Sequence, residues 1–293
     1  MNSLFRAVGL SKQAFHQWKN RWQAQAGVEE QILHLIRQIR YDHPGMGVRD
    51  IYFKLIPLPI GRDRFEDLCR ARGLLIEITR NPCRTTDSRG VTRFPNLLTG
   101  LRIDRPNQVW QSDITYFEVE GKFCYLTFIQ DAYTKLILGW AASKNLTTEA
   151  TSIPALQMAI DWNRSTNLAG LILHSDGGGQ YYDAGFLKMT RRAKMENSMC
   201  EEAWENGMPE RLNGVIKTNY LRHRHITSFQ QLCKELDRTV YLYNFEKPHK
   251  KLQRMSPVDF VYKTLPSLQQ LPPRMRKSFD AKLKGQGHRA PGL

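Results

Sequence analysis

Gln108-Val109-Trp110-Gln111-Ser112-Asp113-Ile114-Thr115-Tyr116-Phe117 decides the fold. Its pattern repeats every two residues, which predicts a strand with Gln111, Asp113 and Thr115 on one face and Trp110, Ser112 and Ile114 on the other. Two more strand-like runs follow, Phe123 to Gln130 and Leu136 to Ser143. The connectors Glu120-Gly121-Lys122 and Asp131-Ala132-Tyr133-Thr134 are short enough for consecutive hairpins. Beyond them a helix is expected from about Thr148 to Trp162, with Pro154 in its first turn. Next come a short apolar strand at Leu171-Ile172-Leu173 and helices at Phe186 to Lys194, Pro209 to Leu221 and Phe229 to Tyr243. Three antiparallel strands, a helix, a strand and further helices predict an α/β fold rather than a barrel or a bundle.

Upstream of this run the chain reads as helices. Leu4, Phe5 and Val8 share a face, Gly9-Leu10-Ser11 interrupts it, and Phe15, Trp18 and Trp22 continue beyond an Ser11 N-cap. That is a weak helix-turn-helix pattern. A separate helix is expected on Ile32, Leu35, Ile36 and Ile39, stopping near His43-Pro44-Gly45, and two more at Val48 to Leu55 and Arg62 to Arg72. Arg62, Arg64, Arg70 and Arg72 crowd the last of these, where a solvated face and a DNA-binding helix are about equally good readings. The domain organisation read from these patterns is a helical DNA-binding region over 1–76, a linker over 77–105, a catalytic core over 106–265 and a basic disordered tail over 266–293.

The 293 residues carry 43 Lys+Arg against 28 Asp+Glu, a formal charge of +15, so a polyanionic partner is expected. Apolar runs stay far below the roughly 18–20 residues of a membrane span. The five cysteines form no CxxC pair, which argues against a disulfide framework or zinc knuckle and for reduced thiols in the cytoplasm. The excess charge is +7 in residues 1–100, +3 in 101–265 and +5 in 266–293, so the acids concentrate in the middle segment.

Three of those acids stand where chemistry is expected. Asp113 lies within the first strand, and Asp176 follows the short apolar strand, ahead of a glycine run, at the kind of strand end where α/β folds place reactive groups. Glu210 follows Pro209 in a helix's first turn, with Asn213, Gly214 and Lys217 on its face at i+3, i+4 and i+7. Each acid alone has an ordinary explanation as a strand hydrogen bonder, a loop cap or a dipole partner. Together in a basic protein they suggest a carboxylate site that neutralises itself with a hard cation, Mg2+ or Mn2+.

Several segments then resemble one family. Asn96-Leu97-Leu98 through Tyr116, HSDGGGQY at 174–181, Ser198-Met199, ERLNGVIK at 210–217, and YNFEKPH at 243–249 with Ser256-Pro257 are similar to the transposases of bacterial insertion sequences, OrfB type, with an integrase-like catalytic core. VGLSKQAFHQW at 8–18 and the arginine-rich helix resemble that family's helix-turn-helix arm. The resemblance implies a ribonuclease-H-like mixed-sheet core behind an all-helical N-terminal region. It also implies a DDE triad of Asp113, Asp176 and Glu210 that holds Mg2+ or Mn2+, in two ions, and both cuts element ends and joins the freed 3′-OH to target DNA. Arg211, Lys217, Arg222 and Arg224 would hold phosphates, by the resemblance and by charge. The implied partners are the element's terminal inverted repeats, target DNA and further copies of the chain on paired ends. An upstream helix-turn-helix protein or fused segment is a possible additional partner, and the implied location is the bacterial nucleoid.

Two features depart from the family pattern. Asp176 and Glu210 are separated by 33 residues, a shortened interval that brings Glu201, Glu202 and Glu205 into consideration as the third acid. Gly177 stands where a basic residue is common. Two other readings share part of these features: a non-catalytic DNA-binding regulator, which has no use for three acids, and a metal-dependent nuclease without strand transfer.

Overall fold

The computed structural model describes residues 9, 11–76, 94–164, 166–200 and 207–264. The chain divides into two compact units, Met1–Thr79 and Arg80–Leu293.

The first unit contains α1 (Lys12–Asp42), α2 (Val48–Leu55) and α3 (Arg62–Ala71). Ser11 starts α1 as expected, its Oγ accepting from the Ala14 N–H at 3.0 Å. The two helices expected between Ser11 and Ile39 are instead one continuous α1 of 31 residues. Gly27 lies between the two expected helices, but a lone glycine costs a helix only about 1 kcal/mol, and no proline joins it before Pro44. Ile32, Leu33 and Ile36 pack with Ile51, Phe65, Leu68 and Cys69, so Leu33 takes the buried place assigned to Leu35, which is exposed. The N-terminal half of α1 leaves Trp18 and Trp22 exposed. Leu4, Phe5 and Val8, the first half of the predicted helix-turn-helix, lie outside the described residues, as do residues 77–93 and the 266–293 tail.

In the second unit β1 (Val109–Val119), β2 (Lys122–Asp131), β3 (Ile137–Ser143), α4 (Ser152–Trp162), β4 (Ile172–Ser175), α5 (Ala184–Arg192), β5 (Glu196–Met199), α6 (Gly207–Asn219), α7 (Phe229–Phe245) and α8 (Pro257–Thr264) follow in order. The five strands make one sheet ordered β3-β2-β1-β4-β5. β1 pairs antiparallel with β2, and β2 with β3. β1 and β4, and β4 and β5, run parallel, which needs the crossovers that α4 and α5 supply. This mixed sheet with helices on both faces is the ribonuclease-H-like arrangement expected. β5, reading Glu196-Asn197-Ser198-Met199, was not foreseen, because four largely polar residues carry no strand period.

The period of two in β1 sorts the core into two layers. Trp110 joins Ala155, Leu156 and Ala159 of α4, Phe186 of α5 and Leu173 of β4 on one face. On the other, Leu126, Phe128 and Ile137 meet Leu212 and Ile216 of α6 and Leu232, Leu236 and Val240 of α7. α4 approaches β3 so closely that a Cβ at Gly139 would stand 2.0 Å from the Ala155 carbonyl oxygen, so only glycine fits there. The described end of the expected linker, from residue 94, is held to the sheet edge: the Leu97 N–H donates to Ser198 Oγ at 2.9 Å.

Candidate active site

β1 and β4 run side by side with Ser112 paired to Ser175, so Asp113 and Asp176 leave neighbouring strands at the same level. On the opposite side α6 lies along β1. Asn213 Nδ2 donates to Asp113 Oδ2 at 2.6 Å, and one turn later Lys217 Nζ donates to Thr115 Oγ1 at 2.7 Å. The strand face carrying Asp113 and Thr115 is therefore the face met by the helical stripe Glu210-Asn213-Lys217, which joins two spacings visible in the sequence. Glu210 occupies the first turn of α6 and is exposed.

Asp113 is half-buried, and its carboxyl is pushed up to about 8, first by burial and then by the charges of Asp176 and Glu210. Asp176 is also raised, by burial, against the opposing pull of the Gly178 N–H that donates to its Oδ1 at 3.2 Å. Burial lowers the Lys217 ammonium, with Arg222 adding to the effect and Asp113 opposing it. Lys217 also lies 5.3 Å from the Tyr116 ring centroid, so its charge is held over the strand.

The donor set suits a hard cation. Asp113 and Asp176 supply carboxylate oxygens, and two buried amide oxygens, Gln111 Oε1 and Asn213 Oδ1, have no hydrogen-bond partner. Gln111 shares Asp113's strand face, and Asn213 bonds Asp113 directly. Among the described residues no three His, Cys, Asp or Glu side chains converge closely enough to ligate one ion.

Other sequence candidates are placed as follows. His174 is buried and bonds Ser198 through Nδ1 at 2.9 Å, tying β4 to β5. Arg224 is half-buried with its Nε 3.7 Å from Glu235 Oε2. Arg211 and Arg222 are exposed. On α3, Arg62 pairs with Asp63 at 2.8 Å, Arg64 with Glu29 at 3.0 Å, Arg70 with Asp67 at 2.6 Å and Arg72 with Glu29 at 4.0 Å. Pairs this exposed are worth about 0–1 kcal/mol and exchange readily for other anions. Glu201, Glu202 and Glu205 lie outside the described residues. Sequence reasoning missed Tyr181, whose buried hydroxyl bonds Ser112 Oγ at 3.0 Å and braces β1 beneath the acids. Its only signal was an aromatic residue five positions after Asp176.

The chain is similar to several known proteins. A family profile described as "Integrase core domain" matches residues 103–203, and a second of the same description matches 191–257. The "Insertion element IS600 uncharacterized 31 kDa protein" of Shigella sonnei is 27% identical over 269 residues, covering 87% of this chain and 96% of that one. The "Transposase for insertion sequence element IS629" of the same organism is 27% identical over 188 residues, 62% of each chain. Among solved structures, the HTLV-2 integrase catalytic core domain in complex with magnesium aligns with TM-score 0.42 at 19% identity, over 53% of this chain and 96% of that one. Residues 103–257 thus match integrase core domain profiles, and the chain is similar to insertion-sequence transposases over much of its length.

Proposed function

We propose that this chain is a DNA transposase that cuts the ends of its element and joins the freed 3′-OH to target DNA, with Asp113, Asp176 and Glu210 as the catalytic acids. The observation that carries the reading is the placement of Asp113 and Asp176 at one level of β1 and β4, with Glu210 in the first turn of the helix whose Asn213 bonds Asp113, in a chain of formal charge +15. Asp113, Asp176 and Glu210 would hold Mg2+ or Mn2+, which supplies Lewis-acid activation of the attacking oxygen and stabilises the leaving one.

The chain's own groups do the rest. Asn213 fixes the rotamer of Asp113 through the 2.6 Å bond from its Nδ2. Lys217, held beside Thr115 on the same face, offers its ammonium to the phosphate being transferred. Water and the 3′-OH attack in turn at one site, so no covalent protein intermediate is needed. The helical unit and its arginines bind DNA by charge, and copies of the chain assemble on paired ends.

The test incubates wild-type protein and Asp113→Asn with Mg2+ and the DNA that flanks the coding region. Wild type is expected to nick at the element boundary and to give joined products. Asp113→Asn is expected to bind equally but to lose cleavage by at least about a thousandfold, roughly 4 kcal/mol of transition-state stabilisation. Binding without cleavage by wild type would overturn the catalytic reading in favour of a regulator. Hydrolysis without joining would identify a nuclease.

A further inference from the structure

The loop between β2 and β3 carries a lysine that the acids do not use. Lys135 has a left-handed backbone, φ 62°, and is half-buried. Its Nζ donates to the Ala132 carbonyl and lies 3.0 Å from Met208 Sδ, in the first turn of α6 and two residues before Glu210. Arg211 leaves the same helical turn, exposed.

A third element is fixed to this place by a chain of contacts. Gln130 Nε2 donates both to the Lys135 carbonyl at 2.9 Å and to Tyr243 Oη at 2.8 Å. The Tyr243 ring meets His249 edge-on with centroids 4.7 Å apart, and His249 opens the 3-10 turn Lys250–Leu252. Lys251, exposed on that turn, is thereby brought near Lys135.

Lys135 thus meets the first turn of α6, the helix that carries Arg211, and Lys251 sits on a turn tied to the same loop through Gln130, Tyr243 and His249. Asp131, the acid that opposes their mutual repulsion at Lys135, is already taken up by the N–H groups of Asn107, Tyr133 and Thr134 and by the Thr134 hydroxyl. Among the described residues no carboxylate pairs with Lys135, Arg211 or Lys251 within ion-pair distance. Cations gathered without an ion-paired partner among the described residues favour a bound anion. Burial and the neighbouring Lys251 and Arg211 bring the Lys135 ammonium down to about 8, the direction that a bound anion would reverse.

We propose that Lys135, Arg211 and Lys251 form a phosphodiester-binding site that grips the DNA backbone beside Glu210 and sets the register of the strand entering the acids. The site rests on the reading of the chain as a DNA transposase and adds Lys135 and Lys251 to its DNA contacts. Arg211 and Lys251 bind as exposed charges, while half-buried Lys135 fixes the position.

The experiment is a titration of a fluorescein-labelled, random-sequence DNA duplex by the full chain in EDTA across a NaCl series, read by anisotropy. Each phosphate contact contributes about 0.9 to the slope of log affinity against log salt. Arg211→Gln, Lys251→Gln and Lys135→Gln are each expected to reduce the slope by about that much. Lys188→Gln, an exposed lysine on α5 across the sheet, is expected to leave it unchanged. Arg211→Gln and Lys251→Gln alter exposed side chains, so they keep the test valid if Lys135→Gln misfolds. A wild-type slope retained by both surface variants overturns the phosphate site while leaving the transposase reading intact. Wild-type protein that shows no salt-dependent DNA binding overturns both.

Discussion

Replacing Asp113 by Asn should make the metal-free protein more stable while removing its activity. The carboxyl is moved from an ordinary 3.8 to about 8, so between those values the folded state binds a proton that the unfolded state has released. Folding is then penalised progressively as pH rises from about 4 to about 8, at roughly 1.4 kcal/mol per pH unit at most. Taken whole, the penalty would approach 6 kcal/mol, but Asp113 retains contact with water, and solvent screening reduces it to about 1–3 kcal/mol. Asparagine is nearly isosteric, carries no charge for Asp176 and Glu210 to repel, and its carbonyl can still accept from Asn213. For a unit of this size the gain corresponds to about 3–8 °C in melting temperature at pH 8. Thermal melts of both proteins in EDTA at pH 5, 6.5 and 8 measure it. The variant should melt higher at pH 8, the gap should shrink toward pH 5, and Mg2+ should stabilise the wild type more than the variant. A variant that melts below wild type at pH 8, or a gap indifferent to pH, would refute the electrostatic account of the site.

Other consequences are as specific. Glu210→Gln should abolish cleavage with DNA affinity nearly unchanged, whereas Glu205→Gln should cleave normally; the opposite pattern in the same nicking assay would relocate the third acid. Gly139→Ala places a methyl 2.0 Å from the Ala155 carbonyl oxygen, and a loss of at least about 2 kcal/mol is expected in urea unfolding, with wild-type stability counting against the close packing of α4 on β3. Burial, with Lys247 and Lys135 nearby, lowers the His249 imidazole to about 3, so it stays neutral in the fold and charges on unfolding. Its contribution to stability is present above about pH 6.5 and falls as pH drops from there toward 3, so His249→Gln should flatten the acid limb of a stability–pH curve, and an unaltered limb would count against it.

The architecture was legible wherever burial is one-sided. β1, β2 and β3 each face a helix layer on either side, and the alternation of Trp110 with Gln111 and Asp113 recorded which layer each side chain meets. Helix ends were legible where a cap acts locally, as at Ser11 and at the His43-Pro44 stop. What escaped was structure imposed from outside the segment. β5 owes its extended backbone to pairing with β4, and its Ser198 to a bond with His174, neither of which leaves a periodic trace in Glu196-Asn197-Ser198-Met199. The continuity of α1 through Gly27 escaped for a related reason: glycine lowers helix propensity without forbidding the helix.

The acids show the same division more sharply. Their identity could be read one at a time, from a strand end and a helix start, and the resemblance ordered them as a set. Why they matter could not be read that way, because the property that singles out Asp113 belongs to no single segment. Asp113 is raised by burial, then by Asp176 at the end of a strand 63 residues later and by Glu210 from a helix 97 residues later, and it is steadied by Asn213 from that same helix. A carboxylate placed so costs the folded chain stability, and the unsatisfied Gln111 and Asn213 oxygens beside it add to that cost. A fold selected for stability alone would replace Asp113 by asparagine, so the gain expected for that substitution in metal-free protein measures the stability this sheet gives up to keep a carboxylate there, as the proposed cation-binding role requires.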